Sequence, residues 1–101
     1  MTVSRITDNI VFMSIQSFSC KDTEQLFLTG KSSKFSNIRN VAERKLIQLD
    51  SAPSINFMMA PPGNELKEYD GFWHVRINDQ WRLKFKWSES GPYEVIISNP
   101  H

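Results

Sequence analysis

A single cysteine, Cys20, stands among 101 residues, so no disulfide framework can staple this chain, and a reducing cytosol fits it. Histidine is equally scarce. His74 and His101 are the only two, and with one thiol they are too few for a structural zinc site, so no metal or other cofactor is expected. Long hydrophobic runs are missing as well. The longest apolar stretches, such as "NFMMAPP", fall far short of the roughly 18 residues that a membrane span requires. The opening "MTVSRITDNIVFM" has neither an apolar h-region nor a cleavage site, so the chain reads as neither secreted nor membrane-bound, and as cytoplasmic. Net charge is also nearly absent: 12 Lys and Arg against 11 Asp and Glu give +1. Attraction for an anionic partner therefore has to come from local clustering of cations rather than from a global field.

What is present is an ordinary globular composition, 40% hydrophobic and 23% charged, in a chain long enough for one modest core. Residues 10–18, "IVFMSIQSF", read as a first strand because β-branched and aromatic residues dominate them. Ser19 offers an N-cap for a short helix that Gly30 closes. Ser36 is the expected cap of a longer helix, in which Ile38, Val41, Ala42, Lys45, Leu46, Leu49 and Ala52 recur at helical spacing. Lys45 interrupts this stripe, and its stem is expected to lie on the core while the ammonium reaches water. The region from Ser51 to Gly71 is turn-rich, and only "ELKEY" has room for a short edge strand.

The last third alternates at period two. Trp73, Val75 and Ile77 interleave with His74 and Arg76, and Trp81, Leu83, Phe85 and Trp87 interleave with Arg82, Lys84 and Lys86. Apolar faces coincide only if Asn78, Asp79 and Gln80 form the loop, which pairs Val75 with Leu83 and sets Arg76 directly opposite Arg82. The same test on the next hairpin pairs Trp87 with Tyr93, Phe85 with Val95 and Leu83 with Ile97, and places Lys86 beside Glu94. The chain end then runs toward the arginines, which makes His101 a neighbour of Arg82. The fold class is α+β: an N-terminal strand, a two-helix hairpin, then a three- to four-stranded, mostly antiparallel sheet.

Opposed like charges on adjoining strands destabilise a sheet, so their presence points to an anion. Two guanidiniums with Lys84 supply forks for phosphate, and an imidazole supplies a group titrating near neutrality. The set suits RNA cleavage without metal, with His101 transferring a proton and the guanidiniums holding charge on phosphorus. The same residues also fit a plain solvated strand face, or a single-stranded RNA-binding module. Lys31, Lys34, Arg39, Arg44 and Lys45 read first as a solvated helix face and second as a footprint on ribosomal RNA. The three tryptophans fall on the apolar side, while Phe72 lies on the basic face as a candidate for base stacking.

From Met13 to His101 the chain resembles the HigB branch of the RelE/ParE toxin superfamily. The resemblance is carried by "SIQSFSCKDTEQLFLTGK", "NVAERKLIQLDSA", "PPGNEL", "VRINDQWRLKFKW" and a terminal His. It implies a small RelE-like domain over residues 13–101, with residues 1–12 as an N-terminal extension. It also implies a type II toxin that cleaves mRNA in the ribosomal A site and is neutralised by a HigA-like helix-turn-helix antitoxin, with DNA contacted only through that antitoxin. Carried over by residue, Arg82, His101 and Asn99 are the catalytic candidates, and Arg76, Lys84, Lys86, Lys67 and His74 the RNA-binding ones. Three departures bear on activity. The chain ends Asn99-Pro100-His101 where the family commonly has Asp-Tyr-His, and Asn cannot titrate as a base. Glu65 stands where an Arg is usual, and the following loop is about four residues shorter, with Lys67 as the partial substitute. Attenuated catalysis is the expectation, and a non-catalytic relative, either a gyrase inhibitor of ParE type or a co-repressor, is the alternative.

Overall fold

The computed structural model describes residues 14–99. Two helices, α1 (Lys21–Thr29) and α2 (Arg39–Ser51), precede strands β1 (Lys67–Tyr69), β2 (Phe72–Arg76), β3 (Arg82–Ser88) and β4 (Gly91–Ser98). The strands form one antiparallel sheet in the order β1-β2-β3-β4, which is the predicted α+β architecture.

The helices bury one face of the sheet. Leu26 of α1 and Ala42, Leu46 and Leu49 of α2 join Val75, Ile77, Leu83, Phe85, Val95 and Ile97 in a single core, with Trp73, Trp81 and Trp87 half-buried at its margin. Burial of these side chains supplies the main driving force, at about 1.5–3 kcal/mol for each large aliphatic or aromatic group. Two polar anchors fix the helices against the rest of the chain. Thr23 Oγ1 accepts from the Ile97 amide at 3.0 Å, and Asp50 Oδ1 accepts from the Ile15 amide at 3.0 Å.

Neither predicted serine cap forms. Cys20 occupies the N-cap of α1 without a side-chain hydrogen bond, and Ser36 opens a 3₁₀ turn, Ser36–Ile38, that leads into α2. Gly30 does close α1, at φ 74. Of the predicted first strand, residues 10–13 lie outside the described residues. The remainder runs beside β4, with one parallel bridge, Phe18 to Val95, and a further bond from the Gln16 amide to the Pro92 carbonyl at 2.8 Å. Two features of β4 interrupt a regular ladder there: Pro92 lacks an amide hydrogen, and Glu94 sits at φ 51. Gly91 is required where the two segments approach closely, since a Cβ there would lie 2.5 Å from the Ser14 carbonyl oxygen, at φ 117.

Lys45 departs most from expectation. Its ammonium does not reach water: the residue is 8% exposed, and Nζ donates to Oδ1 of the fully buried Asn64. Asn64 in turn donates to the carbonyls of Met58 at 3.0 Å and Ala60 at 3.1 Å, and so closes the loop between α2 and β1 upon the helix. Burial lowers the Lys45 pKa below the ordinary 10.5, and Arg44 and then Arg76 add to the effect.

Candidate nucleic-acid interface

The open face of the sheet carries the cations. The β2–β3 hairpin has the predicted register, with Trp73 opposite Phe85, His74 opposite Lys84, Val75 opposite Leu83 and Arg76 opposite Arg82. Its loop is set by Asn78, whose Oδ1 accepts from the amides of Gln80 and Trp81, each at 2.8 Å. On the other side of β2, the Asp70-Gly71 turn, with both residues at positive φ, brings β1 back so that Lys67 lies opposite His74. Directly opposed residues share a face. Lys67, His74 and Lys84 therefore form one row across three strands, and Arg76, Arg82 and Ser98 form the next.

A cleft of about 350 Å³ opens along the first row, lined by Lys67, Glu68, Tyr69, His74 and Arg82. Tyr69 is its missing wall, a residue the sequence offered only as part of an edge strand. Its ring meets the His74 ring edge-on with centroids 5.9 Å apart, and its carbonyl lies 3.3 Å from His74 Nε2. Burial lowers the His74 pKa from 6.5; the Tyr69 carbonyl pushes it back up in part, and Lys84, Lys67 and Arg82 each add a smaller lowering. At neutral pH the imidazole is therefore uncharged among cations.

The two arginines are opposed in register but hold different partners. Arg82 Nη1 donates to the Asn78 carbonyl and, at 3.1 Å, to the Trp81 carbonyl, and its guanidinium lines the cleft. Arg76 is paired with Asp79, and its charge is felt at Lys45 rather than at His74. Lys84 and Lys86 hold their ammoniums 4.8 and 5.1 Å from the centre of the Phe72 ring, so Phe72 occupies the basic face as expected. Lys86 also pairs with Glu94 at 3.4 Å. That pair survives a register error. A bulge between Lys84 and Lys86 puts Trp87 opposite Pro92 and Lys86 opposite Tyr93, so Tyr93 turns to the basic face instead of pairing with Trp87. Asn99 follows β4 directly and is exposed. Pro100 and His101 lie outside the described residues.

Among the described residues, no group of three or more His, Cys, Asp or Glu side chains is placed to hold a metal ion, and no helix is long and apolar enough to cross a membrane. A comparison with curated proteins finds no match. A protein-family model described as "RelE-like toxin of type II toxin-antitoxin system HigB" matches residues 16–101, which includes both helices and every strand of the sheet. The chain belongs to the HigB-like family of RelE-like toxins, the toxin halves of type II toxin-antitoxin systems, and a cognate antitoxin is implied as its partner.

Proposed function

We propose that this toxin is a metal-independent endoribonuclease that cuts mRNA in the ribosomal A site and is silenced by a HigA-like helix-turn-helix antitoxin. The observation that carries the reading is the row Lys67–His74–Lys84 with Arg82 beside it, three cations around one neutral imidazole in an open cleft. Cleavage by the ribose 2′ hydroxyl needs four things: a cationic bed for the scissile phosphate, added stabilisation as charge grows on its oxygens, a base, and an acid for the leaving 5′ oxygen. Lys67 and Lys84 provide the bed, and Arg82 provides the stabilisation. Arg76 and Lys86 extend the positive surface along the strand, and Phe72 offers a ring face to a neighbouring base. His101 is the proton-transfer group for the leaving oxygen, and the Asn99 amide replaces a titratable carboxylate, which leaves the chemistry attenuated.

The decisive assay is cleavage of mRNA on purified, programmed ribosomes. Wild type is expected to cut slowly, and Asn99→Asp with Pro100→Tyr to cut at least about a hundredfold faster, the low end for a restored acid–base group. Growth arrest without cleavage by either chain would sink the nuclease reading and leave a non-cleaving toxin of this fold.

A further inference from the structure

Resting on the nuclease reading above, the geometry points to His74 as the general base of the cleft, taking the proton of the ribose 2′ hydroxyl through Nδ1. His74 sits midway between two ammonium-bearing residues on the strands at either side, Lys67 on β1 and Lys84 on β3. Neighbouring strands are about 4.8 Å apart, so the two lysine backbones straddle the imidazole by about 10 Å, a span suited to one phosphodiester and its ribose. A phosphate bridging Lys67 and Lys84 lies over the ring.

The tautomer follows from the Tyr69 contact. A carbonyl oxygen can only accept, so Nε2 carries the hydrogen toward Tyr69 and the lone pair is left on Nδ1. The Tyr69 ring, packed edge-on, restrains the imidazole from the side. The charged groups facing His74 from β1 are Lys67 and, at the cleft wall, Glu68; those from β3 are Lys84 and Arg82. Partial burial, with the cations outnumbering the carboxylate, keeps the basic form populated at neutral pH.

The step balances without a co-reactant. Nδ1 takes the 2′ proton, O2′ bonds to phosphorus, and the P–O5′ bond breaks. The leaving 5′ oxygen receives a proton from the acid, which gives a 2′,3′-cyclic phosphate and a 5′ hydroxyl. The imidazolium then returns its proton to water.

The test is single-turnover cleavage on ribosomes between pH 5.5 and 8.5 for wild type, His74→Gln and His74→Ala, with thermal melting to confirm folding and ribosome affinity measured in parallel. Wild type is expected to lose rate as pH falls, with a midpoint below 6.5. Both variants should be slower by about 10²–10⁴-fold, bind ribosomes within about threefold of wild type, and lack the acid limb. Rates within about threefold of wild type, or a slow variant that keeps the acid limb, would overturn the role of His74 and leave the nuclease reading standing. A rate loss explained entirely by weaker binding would also overturn it. Wild type that cuts nothing would remove both. Nitrogen NMR of the free protein at pH 7 gives a second readout: the expected tautomer is Nε2–H, and Nδ1–H would contradict the assignment.

Discussion

Arg82→Ala is expected to slow mRNA cleavage on ribosomes by about 10²–10³-fold, the loss typical of removing one donor from the developing charge of a transition state. Arg82→Lys is expected to recover only a small part, because an ammonium restores the charge but not the planar fork. The guanidinium lines the cleft beside His74 while anchored to the Asn78 and Trp81 carbonyls, so it is held in place before substrate arrives. Those anchors also brace the hairpin loop, so melting curves must accompany the rates. Arg76→Ala is the matched comparison, since Arg76 stands opposite Arg82 yet is paired with Asp79, and a smaller loss is expected there. Cleavage by Arg82→Ala within about threefold of wild type, with an intact fold, would remove Arg82 from the chemistry.

Asn64→Ala is expected to destabilise the protein by about 3–5 kcal/mol, because it strands the buried Lys45 ammonium and the buried Met58 carbonyl at once, while the Ala60 carbonyl keeps its bond from Gln48 at 2.7 Å. Asn64 is fully buried, and its three closest contacts are with Lys45, Met58 and Ala60. For a domain of this size such a loss corresponds to a fall on the order of 15–25 °C in melting temperature. Pairing Asn64→Leu with Lys45→Met removes the stranded charge and should melt well above Asn64→Ala, the non-additivity expected of two groups in contact. A single variant that melts within about 4 °C of wild type would show that the Lys45–Asn64 pair does not hold the loop.

Periodicity made much of this molecule legible. The α2 stripe and the alternation of β2 and β3 each admit one arrangement that buries the apolar side, and the Asn78–Gln80 loop leaves a single register for the arginines. Lys45 could not be read the same way. A lone lysine on an apolar stripe ordinarily reaches for water, and the partner that buries it lies 19 residues on, in a turn with no periodicity of its own. The slip in the last hairpin has a local cause that the alternation conceals. The positive φ at Glu94 allows an extra residue, which shifts Trp87 and Lys86 by one while the pairing of Leu83 with Ile97 stands. The cleft was hidden for a similar reason. Lys67, His74 and Lys84 lie on three successive strands, and only the tight Asp70-Gly71 turn brings Tyr69 and Lys67 against His74. "YDGF" was the available signal, since Asp-Gly favours a two-residue hairpin turn that fixes this register.

The most direct measurement is an amide NMR map of the labelled toxin titrated with a short single-stranded RNA carrying a 2′-deoxy sugar at the cut site. Shifts should concentrate on residues 67–69, 72–76 and 82–86 and shrink in Lys67→Ala/Lys84→Ala. Shifts confined to α1 and α2, with the open sheet face silent, would place the RNA elsewhere on the molecule and contradict the site.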